Sequence, residues 1–127
     1  QYGEEENQSE DPSSTFGKLT AVELYLGDIP TLPGATQCVQ QGILSSLQPQ
    51  NIRCARAVAN VEFGTGNPKY PLLFDPQTSG GLLGCVPHSQ VTSLLDALKN
   101  AGYTDASVIG RVVPREAGEF APLITLK

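Results

Sequence analysis

The sequence predicts an α+β fold, a two-layer α/β sandwich in which helices pack on a mixed β-sheet. Three observations predict it. "TAVELYL" (20–26) alternates strictly, with Val22, Leu24 and Leu26 on one side and Ala21, Glu23 and Tyr25 on the other, as a half-buried strand requires. Between Pro87 and about Ala101, the residues Val91, Leu94, Leu95 and Leu98 recur at helical spacing, and Gly102 stands where a helix ends. Two further apolar runs, "ASVIGRVV" and "PLITLK", read as strands on either side of the charged turn "PREAGEF".

The remaining elements follow in chain order. Residues 1–17, "QYGEEENQSEDPSSTFG", are acidic and serine-rich with little to bury, which predicts a disordered tail or linker ahead of a domain over 18–127. After the first strand, the turn-rich "GDIPTLPGA" leads into a short helix, "ATQCVQQG", closed by Gly42. "LQPQN" opens a second helix that continues through "IRCARAVANV", with Pro49 suited to its first turn. There Ile52, Ala55 and Ala59 share a face, and Arg53 and Arg56 reach solvent. "FGTGNPKYP" reads as loop, and its G-x-G lacks the third glycine of a dinucleotide fingerprint. "GLLGCV" (81–86) reads as a short strand buried on both faces. No internal repeat occurs.

Charge and composition exclude several classes of function. The chain of 127 residues carries a formal net charge of −5, but Glu4, Glu5, Glu6, Glu10 and Asp11 supply five acids within the first eleven residues. The other 13 − 5 = 8 acids balance the 8 bases, so the body is neutral and offers no basic footprint for nucleic acid. No apolar run approaches the roughly 20 residues that span a bilayer. A soluble, cytoplasmic protein without a membrane partner is expected. Cys38, Cys54 and Cys85 are odd in number, irregularly spaced and without a CxxC pair, and His88 is the single histidine. Buried free thiols in a reducing compartment are therefore expected, rather than a disulfide framework or a zinc site. The absence of methionine, even at position 1, suggests a processed chain or a piece of a longer protein.

One stretch carries a candidate site. "YPLLFDPQTSGGLLGCV" (70–86) sets Asp-Pro, Thr-Ser and Gly-Gly back to back between apolar runs. Leu72, Leu73 and Phe74 would anchor the loop on one side, and Leu82 and Leu83 on the other. Pro76 restricts the backbone, while Gly80 and Gly81 allow close approach and positive φ. Thr78 and Ser79 add hydroxyl donors, and Asp75 can cap the turn or approach a metal-bound phosphate. The alternative is a purely structural turn. Ser79 and His88 do not make a hydrolase, because "TSGG" lacks the G-x-S-x-G elbow and His88 falls at a helix start. Asp75 has no paired carboxylate nearby, Glu62 lying well upstream, and no phosphate-binding Walker loop is present.

"PLLFDPQTSGGLL" resembles the C-terminal domain of the selenophosphate synthetases (selenide, water dikinases), within the aminoimidazole-ribonucleotide-synthetase-related superfamily. "VELYLGDIPTLPGATQCVQQGILSSLQPQN" is similar to the same domain's opening segment, and the helix from Pro87 with "AGYTDASVIGRV" follows in family order. The likeness runs from about Leu19 to Val113, with Asp75–Leu82 its most specific part. It implies the superfamily's C-terminal domain fold. It also implies a parent enzyme that makes selenophosphate, AMP and phosphate from selenide, ATP and water with Mg²⁺. Asp75, Gln77, Thr78, Ser79, Gly80 and Gly81 would then bind substrate or phosphate in a cleft formed with an N-terminal catalytic domain, and the parent would be a homodimer.

The family places its reactive Cys or selenocysteine, its lysine and most of its metal-binding aspartates in that N-terminal part. This chain supplies no catalytic residue and no metal ligand on that reading, so Cys38, Cys54 and Cys85 take no catalytic role. The isolated chain is expected to be inactive and to bind no cofactor alone. The family's domain also opens with "DVTGFGLLGH", where this chain has its acidic tail and "TFGK". Three alternatives stay open: a selenophosphate synthetase C-terminal domain, a superfamily member acting on another substrate with ATP, and a non-catalytic binding or structural module.

Overall fold

The computed structural model describes residues 20–76, 80–115 and 123–127. The expected tail over 1–17 and most of the "PREAGEF" turn lie outside the described residues. Among the described residues, three strands form a mixed sheet: β1 (Thr20–Leu24), β2 (Gly110–Pro114) and β3 (Ile124–Leu126), in the order β2-β1-β3. β1 and β2 run antiparallel, with Glu23 opposite Arg111, and β1 and β3 run parallel, with Val22 opposite Ile124 and Leu24 opposite Leu126. This is an α+β fold with a mixed sheet packed by helices, as the sequence predicts.

The inner face of the sheet is built by the alternation read in β1. Leu26 and Leu126 are fully buried and meet Tyr70 and Phe74, while Leu24, Ala55, Val58, Val61, Leu73 and Ile124 pack around them. The Tyr70 and Phe74 rings meet edge to face at 5.2 Å, a geometry that aromatic quadrupoles favour. On the outer face, Glu23 accepts a hydrogen bond from Arg111 Nε at 2.6 Å, and Lys127 Nζ lies 3.7 Å from its other oxygen.

Among the described residues, four α-helices accompany the sheet: α1 (Ala35–Gln40), α2 (Gln48–Asn51), α3 (Val61–Thr65) and α4 (Val91–Asn100). Gly42 at φ +75° and Gly102 at φ +96° follow α1 and α4, in the left-handed conformation that terminates helices at low cost only for glycine. Pro49 sits in the first turn of α2 as expected.

Three elements differ from the sequence reading. The second helix is α-helical only to Asn51, tightens to a 3₁₀ turn over Ile52–Ala57, and gives way to an extended Val58 that bridges Ile124 of β3. Pairing with a sheet edge overrides helix propensity there, leaving Ile52 and Ala59 exposed and only Ala55 against the core. The "FGTGNPKYP" stretch contains the last three residues of α3 and the start of a 3₁₀ turn over Tyr70–Phe74. Its glycines hid the helix, and Gly64 has a packing reason: an added Cβ would run into the Tyr70 ring and lie 2.8 Å from Leu126 Cδ1. Finally, "GLLGCV" is neither a strand nor buried, with Leu82 and Leu83 at 103% and 76% exposure. A strand needs a hydrogen-bonded neighbour, and none flanks this segment among the described residues. The three cysteines are free as expected but exposed rather than buried. The small core is filled by Leu, Tyr and Phe from other positions, and Cys85 lies in the uncovered segment.

Candidate functional site

The Asp75–Gly81 loop leaves the core at a well-fixed point. The 3₁₀ turn over Tyr70–Phe74 buries its first and last side chains, and the Asp75 backbone N–H donates to Leu72 O at 3.2 Å. Behind this turn, Gln48 is buried at 5% exposure and donates from Nε2 to Pro71 O at 3.0 Å. Lys69, at the start of the same turn, donates from Nζ to Gly27 O at 2.6 Å and Ile29 O at 2.7 Å. Its ammonium thereby closes the loop after β1, and Ser107 Oγ donates to Asp28 O at 2.8 Å from the other side. The upstream end of the candidate loop is thus tied to two different parts of the chain.

Asp75 itself is half-buried and stands on the rim of an open depression of about 170 Å³, with Cys38, Ser45, Gln48 and Leu72 among its other walls. Among the described residues that line it, Asp75 alone is charged. A carboxylate repels phosphate, so these walls do not form an anion site by themselves, and any phosphate recognition must come from the loop's N–H and hydroxyl donors. Gln77, Thr78 and Ser79 lie outside the described residues. Gly80 and Gly81 are exposed. An added Cβ on Gly81 would meet nothing within 4 Å, and its backbone stays out of the left-handed region. The approach to the loop is open there. Downstream, the expected anchors Leu82 and Leu83 do not pack into the core, because both face solvent.

Among the described residues, no group of three His, Cys, Asp or Glu side chains comes together to hold a metal. Mg²⁺ favours octahedral oxygen ligands from carboxylates and phosphates. One carboxylate beside a thiol does not fit it, so the described residues assign no step to that ion. His88 opens a short 3₁₀ turn (His88–Gln90) ahead of α4, the helix-start position read from the sequence. Sequence reasoning missed Gln48 and Lys69, whose partners lie 23 and at least 40 residues away in the chain. No local pattern signals such bonds.

These features define a small α+β domain that presents a Gly-rich polar loop beside a shallow depression. No family model matches the chain. Curated relatives do: it is 31% identical over 100 residues to "Selenide, water dikinase 2" of Peptoclostridium acidaminophilum, covering 79% of this chain and 28% of that protein. It is 33% identical over 102 residues to the selenide, water dikinase of Pseudomonas straminea, covering 80% and 28% of the two chains. For the Burkholderia pseudomallei protein of the same name, the figures are 38% over 98 residues, covering 75% and 27%. This chain is homologous to one segment of the selenide, water dikinases, and it spans less than a third of the length of the relatives it matches. Among the described residues, no helix is long and apolar enough to cross a membrane.

Proposed function

We propose that this chain is the C-terminal domain of a selenophosphate synthetase, with the domain over 18–127, and that its Asp75–Gly81 loop completes the ATP and phosphate cleft of the parent enzyme. The observation that carries this reading is the homology to selenide, water dikinases across three quarters of the chain or more. The parent would convert selenide, ATP and water to selenophosphate, AMP and phosphate, with Mg²⁺ held outside the described residues. The firm upstream seat of Asp75 supports the loop's part in that cleft, because a donor array aids a charged transition state only when it is preorganised. Thr78 and Ser79 hydroxyls and the N–H groups of Gly80 and Gly81 would face phosphate oxygens. The partner that closes the cleft would be the N-terminal catalytic part of the same polypeptide, in a homodimeric cytoplasmic enzyme.

Substitutions in the parent polypeptide test the loop. Ser79→Ala should lower selenide-dependent AMP formation about 10-fold or more, a loss of roughly 1.4 kcal/mol in the transition state, while the melting temperature barely changes. Gly80→Val should abolish turnover in protein that remains folded. Full turnover in Ser79→Ala, with Gly80→Val losing activity only as it loses folded protein, would make the loop a structural turn.

A further inference from the structure

The open depression of about 170 Å³ beside Asp75 carries a chemistry that a phosphate loop does not use. Its walls come from three parts of the chain: α1 with Cys38, the segment that follows it as far as Gln48, and the end of the Tyr70–Phe74 turn. Each part is fixed by a backbone hydrogen bond of its own. Ile43 N–H donates to Cys38 O at 2.8 Å, Gln48 N–H to Ser45 O at 3.1 Å, and Asp75 N–H to Leu72 O at 3.2 Å. The depression is thus shaped by the fold itself.

Its polar groups are short of donors. The half-buried Asp75 carboxylate has no ion pair or hydrogen bond among the described residues. Gln48, at 5% exposure, gives Nε2 to Pro71 O, and no described residue donates to its Oε1. Ser45 Oγ accepts only the long bond from Leu47 N–H at 3.4 Å. Beside these acceptors stand apolar walls, of which Ile43 and Leu44 keep 60% and 47% exposure. Three ligand classes are thereby excluded. A carboxylate repels an anion, and one carboxylate beside a thiol does not make the octahedral oxygen set of Mg²⁺. A wholly apolar molecule would bury the acceptors unpaired. An alkylammonium meets every requirement, because its head carries three donors and no acceptor and its chain covers hydrocarbon. The volume lies below the roughly 300–1,000 Å³ of pockets for drug-sized ligands, so the molecule is small.

We propose that the depression lined by Cys38, Ser45, Gln48 and Asp75 is a binding site for a small primary alkylammonium. The ammonium is held by the Asp75 carboxylate with the Gln48 and Ser45 oxygens, and the alkyl chain lies against Ile43 and Leu44. This site goes beyond the selenophosphate synthetase reading and does not depend on its reaction. It takes a cation, where the neighbouring loop would take phosphate.

Cys38 is exposed and lines the same walls, so its thiol reports occupancy. Its reaction with methyl methanethiolsulfonate, which spares amines, is followed by peptide mass spectrometry in the folded parent polypeptide. Cys54 and Cys85 serve as internal references. The probe is n-butylammonium, compared with n-butanol, butyrate and potassium at the same concentration. A ligand at ten times its dissociation constant leaves about one site in ten open, so Cys38 should react about 10-fold more slowly. Cys54 and Cys85 should keep their rates. Methylammonium, with the charge but no chain, should protect less at equal concentration, and Asp75→Asn should lose most of the protection. The comparison of chain length and charge in the unsubstituted protein stands even where that variant folds poorly. Equal protection by n-butanol, butyrate or potassium overturns the proposal, as does equal slowing of all three thiols or no slowing at any concentration. A Cys38 that reacts in urea but is inert in the folded parent without amine overturns it too, since polypeptide would then fill the depression.

Discussion

Asn60 substitutes for a strand at the exposed side of β3. Its Nδ2 donates to Leu126 O and its Oδ1 accepts from Leu126 N–H, both at 2.9 Å, so one side chain satisfies both backbone groups of a residue that is 1% exposed. Asn60→Ala leaves both groups unpaired in the core and should cost about 1–3 kcal/mol for each, read as a lowered urea midpoint. The Tyr70 hydroxyl presents the opposite case. It is buried with no hydrogen-bond partner among the described residues, so Tyr70→Phe removes an unmet polar group while keeping the ring packing. That variant should match or exceed the parent stability, by up to about 1 kcal/mol, and a clear loss in melting temperature would show that the hydroxyl has a partner in solution. Glu23 gives a pH dependence. The hydrogen bond from Arg111 holds its carboxyl below the ordinary carboxylate range, burial opposes this, and the charges of Arg111 and Lys127 reinforce it. A lowered folded value stabilises above the unfolded pKa, and the gain disappears as pH falls through the folded value. The stability advantage over Glu23→Gln should therefore be present at neutral pH and vanish on acidification. A constant gap across that range would remove the ion pair from the account.

Elements with one clear period were legible in the sequence, and elements decided by distant partners were not. The alternation of β1, the stripe of α4, and the glycines at 42 and 102 each encode their structure within a few residues. Even so, β1 ends at Leu24 with Leu26 already in a 3₁₀ turn, and α4 begins at Val91 behind the 3₁₀ turn His88–Gln90. The helix through "IRCARAVANV" fails at Val58 because β3 claims that residue from 66 positions along the chain, as Val58↔Ile124. The α3 helix was hidden by Gly64, whose missing side chain makes room for Tyr70. Gly64→Ala should therefore destabilise the chain despite alanine's better helix propensity. An increase in stability would mean that Tyr70 can swing away. The site was legible as a loop in "DPQTSGG", through its turn residues, but Gln48 and Lys69 behind it were not, since their hydrogen bonds depend on tertiary approach. Gln48→Ala, by freeing the Pro71 carbonyl, should loosen the turn over Tyr70–Phe74 and raise amide exchange at Asp75 before it alters exchange in β1.

For the whole molecule, the described core is small: Leu26, Tyr70, Phe74 and Leu126 are its buried hydrophobic residues, while long apolar side chains from Leu32 to Leu123 remain exposed. The same incompleteness holds for the chemistry. On the proposed reading, transfer of a phosphoryl group would rely on cations and donors gathered around the phosphates. The described residues bring together no metal-binding group, and among the described residues lining the depression there is one carboxylate and no cation. Packing and cleft would, on that reading, be completed by polypeptide outside the segment that this chain shares with the matched relatives, which is 28% of two of them. On that basis, this chain incubated with ATP, Mg²⁺ and selenide should release no AMP above a protein-free control. The parent polypeptide under the same conditions should release AMP in step with selenide consumed. The measurement is direct, by chromatography of the nucleotides with and without selenide. Selenide-dependent AMP from the chain alone would mean that a nucleophile and a metal site exist within these 127 residues. It would make Cys38, which lines the depression with Asp75, a catalytic candidate against the expectation from the sequence.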